Sequence, residues 1–427
     1  MICFCSMNSN QTISFFSQGC RLNHSETDTL QQEFINQGFT IVNFKQPAEI
    51  TVINTCTVTE NGDSDTRKLI NQINKVNPQS QIALIGCQAQ ILKEKLLELN
   101  NVKWVIGNNE KMNLANIIRS TSTAIQVDAI KNTPFVLPIS ETAQRYTRAN
   151  IKVQDGCNFY CSFCIIPFAR GPARSRDFQN IIDEAKALVS ANHKEIVLTG
   201  INIGTYNNSN KTIVNLVDEL ETINSLDRIR ISSIEPTTIP KKLYERLAGQ
   251  TKLCPYLHIP IQSGCDSTLN RMRRKYSTED IRTFFNTLLE VNPDICIGTD
   301  VIVGFPGETD DEFEETISFI KDLPFAYCHV FSYSERKMAH SRKFENPISF
   351  HVIKDRSLQL RQLSAQKKKA YYYQFIGRKK RVLIEQKKHN YWIGHTDNYI
   401  KVKVSNESVK RNDIIEVTLN SSNQILI

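Results

Sequence analysis

The spacing of hydrophobic positions changes character three times along the chain. In the first 120 residues, short apolar runs at Thr12–Ser17, Ile50–Asn54 and Gln81–Ile85 alternate with stretches whose apolar residues recur every three or four positions. One stretch carries Leu30, Phe34 and Ile35, with Ser25 as the expected N-cap and Gly38 as the stop. The next carries Leu69, Ile70, Ile73 and Val76 before Pro78. Strand, helix, strand, helix, strand predicts a parallel α/β domain over 1–120. Residues 121–146, rich in Thr, Ser and Asn, read as a linker. From 147 to 366 the pattern predicts six strands, at Ile151–Gln154, Glu195–Thr199, Ile229–Ile234, Tyr256–Ile261, Ile295–Val303 and Ala326–Ser332. Helical patterns such as Ile181–Val189 and Phe313–Ile320 fall between them. Six βα units predict an open or partial barrel with its site at the carboxyl ends of the strands. A basic helix follows at Arg356–Lys369. Alternating runs at Arg381–Gln386, Tyr391–His395, Tyr399–Val404, Ile414–Leu419 and Gln424–Ile427 then predict a small all-β barrel over 367–427.

Composition narrows this picture. A chain of 427 residues exceeds one ordinary core and suits two or three domains. No run approaches the roughly 20 apolar residues that span a bilayer, so a membrane is not an expected partner. The start, Met1-Ile-Cys-Phe-Cys-Ser-Met7, lacks the basic opening of a signal peptide, and Met7 is an alternative first residue. The twelve cysteines therefore read as reduced thiols and metal ligands in a cytoplasmic protein. The net charge of +8 is not spread evenly. Residues 367–427 hold 13 Lys and Arg against 5 Asp and Glu, which is the whole excess. Lys367-Lys-Lys-Ala-Tyr-Tyr-Tyr373, Arg378-Lys-Lys-Arg381, Tyr391-Trp392 and Tyr399 mix cations with aromatics, a combination suited to phosphate contact and base stacking on RNA. A solvated basic face is the plainer alternative.

The candidate chemistry lies in the cysteines. Cys157-Asn-Phe-Tyr-Cys161-Ser-Phe-Cys164 follows the first barrel strand, and three thiols at this spacing can converge on one [4Fe-4S] cube. Three ligands for four irons leave one iron open for a chelating small molecule, whereas structural metal sites are closed. A zinc knuckle lacking its fourth ligand, or simply buried thiols, would share the spacing. Cys20, Cys56 and Cys87 each end one of three successive strands of the first domain. In a parallel sheet those ends share one edge, where ligands bind, so a second cube is expected there. Cys254, Cys265, Cys296 and Cys328 have no cluster spacing and read as packing thiols.

These residues resemble a family. The triad at 157–164, flanked by Gln154-Asp-Gly-Cys and Cys164-Ile-Ile-Pro-Phe-Ala-Arg-Gly, is similar to the signature of radical S-adenosylmethionine enzymes, in particular the methylthiotransferases. Gly-Cys20-Arg-Leu-Asn, Asn54-Thr-Cys-Thr-Val and Gly-Cys87-Gln resemble the family's N-terminal domain. The resemblance implies two [4Fe-4S] clusters, S-adenosylmethionine as cofactor and a central radical-SAM barrel. It also implies a C-terminal TRAM-like barrel that binds tRNA rather than DNA, and an electron donor such as a flavodoxin or ferredoxin. Leu198-Thr-Gly200-Ile-Asn occupies the place of the family's cofactor-binding turn, although the Gly-Gly-Glu form is absent and a plain tight turn is an equal reading. The motifs look closest to the branch that methylthiolates C2 of N6-threonylcarbamoyladenosine 37 of tRNA. The isopentenyladenosine and ribosomal-protein branches share the cysteines, and a non-catalytic iron–sulfur RNA-binding or redox-sensing protein is the reading from another class.

Overall fold

The computed structural model describes residues 11–58, 60–139, 146–249, 251–405 and 408–424. Met1, Met7, Cys3 and Cys5 lie outside them, as does most of the last expected strand. The first domain is a six-stranded parallel sheet in the order Thr40–Val42, Thr12–Ser17, Ile50–Thr55, Gln81–Gly86, Val102–Ile106, Ala124–Gln126. The three expected strands form its centre. The two outermost strands are three residues long and partly exposed, so they carry no apolar run for the sequence to reveal. Ala124–Gln126 thus places the start of the expected linker inside the sheet. One face packs Ile13, Phe15, Leu30, Phe34 and Leu114, the other Ile53, Leu69, Ile73 and Leu84.

The helix expected to open at Ser25 begins four residues earlier, as Arg21–Asn36, with Cys20 in the N-cap position. Ser25 is buried inside it and its hydroxyl donates to the Asn150 carbonyl oxygen of the first barrel strand. A tertiary partner has taken the hydroxyl that sequence reasoning assigned to capping.

The central domain follows expectation closely. Two three-stranded parallel sheets hold Arg148–Lys152, Glu195–Thr199, Arg228–Ile231 and then Tyr256–His258, Cys296–Val303, Tyr327–Ser332. Bridges at Ile229 with Leu253 and Ser233 with His258 join them into one open, six-stranded partial barrel in chain order. Helices such as Phe178–Ser190, Ile213–Glu221, Thr278–Val291 and Asp310–Asp322 cover the outside, over a single apolar core. Cys254, Cys265, Cys296 and Cys328 are all buried.

The basic helix runs from Phe350 to Tyr373, across the boundary expected at 366/367, because no breaker occurs before Gly377. Its last turn delivers Tyr371 and Tyr372 to the core of an antiparallel sheet in the order Lys401–Val404, Tyr391–Thr396, Lys379–Lys388, Ile414–Thr418, with a bridge from Val402 to Gln424. That core also includes Cys254, Tyr256 and Cys296, at the amino ends of barrel strands, so the β domain closes that end of the barrel.

Two buried arginines weld the junction. Arg228 donates to the carbonyl oxygens of His395 (3.0 Å) and Arg381 (2.5 Å). Arg230 donates to those of Asp397 (2.9 Å) and Thr396 (3.4 Å) and pairs with buried Glu195 at 2.7 Å. Burial pushes the Glu195 carboxyl up, but Arg230 outweighs it and holds the group at about 2. A carboxyl depressed in the folded state stabilises the protein fully above its unfolded pKa of about 4.3, and the contribution is lost as pH falls from there toward 2. Arg230→Ala removes the closest cation from Glu195, leaving Arg228 at 3.6 Å, and is expected to cost about 3 kcal/mol in urea unfolding at pH 7. The difference from the parent protein should shrink below pH 4, and equal loss at both pH values would contradict the assignment.

Candidate cluster and cofactor site

Both cysteine triads assemble. Cys20, Cys56 and Cys87 come together at the carboxyl edge of the first sheet, near enough that the Cys56 thiol feels both partners. Burial, chiefly, pushes Cys56 up to about 11. Two local features create the site. Gly19 has φ +83°, and a Cβ there would lie 2.8 Å from the Cys56 sulfur, so only glycine lets that loop approach. Cys20 occupies the N-cap position of one helix and Cys87 opens another, Cys87–Leu92, so both thiols leave the sheet edge at strand-to-helix turns, and burial pushes the Cys20 thiol up. The Asn108 side-chain amide donates to the Cys87 sulfur at 3.7 Å.

Cys157, Cys161 and Cys164 are half-buried on one loop, and the Cys164 amide donates to the Cys161 carbonyl oxygen. Burial and the neighbouring Cys161 push Cys164 up to about 12. The loop enters through Gly156, at φ +70°, where a Cβ would fall 2.0 Å from the Pro172 carbonyl oxygen. Arg274 donates to the Cys161 sulfur at 3.2 Å, pairs with buried Glu235, and also donates to the Pro260 carbonyl oxygen at 2.9 Å. Each triad offers three soft thiol donors with cations or amides beside them, and this donor set fits a cluster with one open iron.

Gly200 lines the interior cavity, and its turn packs on Gln154. The backbone amides of Ile201 and Asn202 both donate to the Gln154 side-chain oxygen at 2.9 Å, and a Cβ on Gly200 would press within 3.1 Å of Gln154. Glycine here is explained by the close packing of Gln154.

Sequence reasoning missed the residues that join the triads. Glu26, wholly buried in the helix behind Cys20, binds Lys111, Lys152 (2.7 Å) and Arg170 (3.1 Å). Asp155 binds Lys152 (2.6 Å), Arg170 (2.9 Å) and Arg174 (3.2 Å). Arg170 also donates to the Asn23 side-chain oxygen at 2.6 Å and feels the Cys87 and Cys20 thiols. It ends the short helix Ile166–Arg170 after the second triad, which packs against the helix opened by Cys87. The available signal was a charge inside an apolar run, as with Lys152 between Ile151 and Val153.

The Cys20–Cys56–Cys87 edge opens into a cavity of about 740 Å³ that runs inside the barrel to Tyr399 and Lys401 of the β domain. Its wall includes Gly200, Gln262, His258, Asp300 and His329. That volume lies in the range of small-molecule and cofactor sites.

Comparison with known proteins agrees with this geometry. The radical SAM superfamily pattern matches residues 151–320, which defines the central barrel as that of a radical S-adenosylmethionine enzyme, with S-adenosylmethionine and a [4Fe-4S] cluster as its cofactors. The pattern described as uncharacterized protein family UPF0004 matches residues 12–107. The chain is 38% identical to threonylcarbamoyladenosine tRNA methylthiotransferase MtaB of Bacillus subtilis, over 92% of this chain and 90% of that one. It is 34% identical to the Aquifex aeolicus protein of the same name, over 92% and 96%. The chain therefore belongs to the radical S-adenosylmethionine methylthiotransferase family. Among solved structures, the radical S-adenosylmethionine methyltransferase TsrM from Kitasatospora setae, with cobalamin and a [4Fe-4S] cluster bound, shares the fold. Its TM-score is 0.55 at 16% identity, over 76% of this chain and 75% of that one. Among the described residues no helix is long and apolar enough to cross a membrane.

Glu26→Gln removes one of the two carboxylates that neutralise three buried cations. It is expected to destabilise the protein by about 3–5 kcal/mol. A shift below about 1 kcal/mol in the urea midpoint energy would mean the cations are compensated elsewhere.

Proposed function

We propose that the protein inserts a methylthio group at C2 of N6-threonylcarbamoyladenosine 37 of tRNA. The observation that carries this reading is a thiol triad lining a ligand-sized cavity inside a radical-SAM barrel, with a second triad on an adjoining loop. We assign Cys157, Cys161 and Cys164 to the [4Fe-4S] cluster that binds S-adenosylmethionine, and Cys20, Cys56 and Cys87 to a second [4Fe-4S] cluster. When bound, the first cluster in its reduced form supplies the electron that cleaves S-adenosylmethionine to an adenosyl radical able to break a C–H bond.

The chain's own residues have separable tasks. Arg274 places positive charge on the Cys161 sulfur and ties that loop to the barrel wall through Glu235 and the Pro260 carbonyl. Arg170 and Asn108 place positive charge and an N–H donor beside Cys87, which favours a negatively charged group on the Cys20–Cys56–Cys87 triad. We assign Gly200, on the cavity wall, to the cofactor-binding turn, with Gln154 holding the amides beside it. The electron comes from a donor such as a flavodoxin or ferredoxin, in a cytoplasmic setting that keeps thiols reduced.

The basic run at 378–381 is less available to RNA than its sequence implies. Arg378 pairs with Asp294 at 2.8 Å, Arg381 with Asp227 at 2.7 Å, and Lys380 lies near Asp294 and Asp397, so the run partly fastens the β domain to the barrel. The outer face instead presents exposed Lys387, Lys388 and Lys403, with Lys387 over Trp392 and Lys403 over Tyr391 at 4.5 Å. We assign this face to tRNA phosphate contact.

Anaerobically reconstituted protein should hold about eight irons, and a triple Cys157→Ala, Cys161→Ala, Cys164→Ala variant about four. Cys56→Ala should abolish methylthiolation, read by mass spectrometry of tRNA nucleosides, while 5′-deoxyadenosine still forms. Loss of all iron in the triple variant, or loss of both products in folded Cys56→Ala, would refute the division into two clusters. For the outer face, Lys387→Gln, Lys388→Gln and Lys403→Gln together should reduce the log–log salt slope of tRNA binding by roughly 0.7 to 0.9 for each lost phosphate contact. An unchanged slope would make the face a solvated surface.

A further inference from the structure

The cavity that begins at the cysteine edge ends in a polar group of side chains that neither cluster nor cofactor assignment uses. His258, Asp300 and His329 lie on three adjacent strands, with Asp300 and His329 directly paired in the ladder. Each offers one polar atom within 4.8 Å of the others, and His258 Nε2 meets Asp300 Oδ1 at 2.9 Å. Arg21 and Lys368 lie close enough for their charges to act on the His329 ring, and Arg21 donates to the Tyr399 hydroxyl at 2.9 Å. All of these residues line the cavity, where Arg21, Lys368 and Lys401 accompany Asp300 as the one carboxylate among the described lining residues.

The shape of a purine connects the two ends. C2 and the N6 substituent sit on opposite sides of N1, so an adenine with C2 toward the Cys20–Cys56–Cys87 end carries its substituent away from it, along the cavity. The wall also holds aromatic residues such as Tyr256, Tyr327 and Phe331 that accept apolar atoms, but a hydrocarbon substituent would leave the cations, imidazoles and carboxylate beside them unpaired as it displaced water. It suits a substituent that ends in a carboxylate and carries N–H and O–H donors. We infer that His329, Lys368 and Arg21 bind the carboxylate of the N6 substituent, and that Asp300, oriented by His258, accepts a hydrogen bond from its N–H or O–H group. These residues select the substrate. The inference rests on the reading of the protein as a tRNA adenosine methylthiotransferase and adds what distinguishes one N6-substituted adenosine from another.

The test compares three anticodon stem-loop RNAs, carrying N6-threonylcarbamoyladenosine, its threonine-amide analogue and isopentenyladenosine, in fully reconstituted enzyme. The parent protein should prefer the carboxylate substrate to the neutral amide by about 10- to 100-fold in kcat/KM, the range expected when a charge-assisted contact is lost. His329→Leu and, separately, Lys368→Met should bring that ratio toward one, chiefly through loss on the carboxylate substrate. His329→Gln, which keeps an N–H donor at the same position where burial and the nearby cations favour a neutral imidazole, should restore part of the preference. Iron content and melting temperature identify a variant that fails to fold, and Lys368→Met, on an outer helix, covers the case in which His329→Leu does. An unchanged carboxylate-to-amide ratio in both folded variants would overturn the inference while leaving the proposed function intact. Methylthiolation of isopentenyladenosine alone would overturn the proposed function itself. A bound metal beyond cluster iron that disappears in His329→Leu would overturn the inference in favour of a metal centre at His258, Asp300 and His329.

Discussion

The buried charges between the two thiol triads constrain the rest of the molecule. Glu26 and Asp155 stand against Lys111, Lys152 and Arg170, all essentially without solvent, with Arg174 at the margin. Removing so many charges from water is costly, and only mutual pairing with good geometry offsets it. The residues come from the first domain (Glu26, Lys111) and from the barrel (Lys152, Asp155, Arg170), and Glu26 crosses between them by pairing with both Lys152 and Arg170. The relative placement of the two triads is thereby fixed by electrostatics as well as by packing. The network holds more positive than negative charge, and its surplus faces Cys87 and Cys20 through Arg170, on the side where thiolates would supply the missing negative charge.

A second constraint closes the opposite end. Arg228 and Arg230 turn barrel side chains toward carbonyl oxygens of the C-terminal sheet, and Tyr371, Tyr372 and Phe375 share a core with Cys254, Tyr256 and Cys296. The β domain is therefore a wall of the same cavity, since Tyr399 and Lys401 line the interior. Much of the charge at 378–381 is spent on this docking, which relocates the candidate phosphate-binding face to Lys387, Lys388 and Lys403.

The sequence by itself determined the strands and helices of the barrel, the central strands of the first sheet and the grouping of six cysteines into two triads. These are local quantities: apolar period sets strand or helix, and the ends of parallel strands must share an edge, so Cys20, Cys56 and Cys87 could be grouped before any coordinates. Short, half-exposed edge strands such as Thr40–Val42 and Ala124–Gln126 carry too few apolar positions to announce themselves. Only the tertiary structure decided the rest. Ser25 reads as a cap until Asn150 takes its hydroxyl, and only the folded chain shows that Gln154 accepts the amides beside Gly200 and that Asp294 pairs with Arg378. Glu26 with Arg170, and Asp300 with His329, are far apart in the chain, and their partnership depends on how sheets and barrel strands are laid side by side. A polar side chain's role is set by the partner it meets when buried, and one-dimensional spacing does not encode that partner.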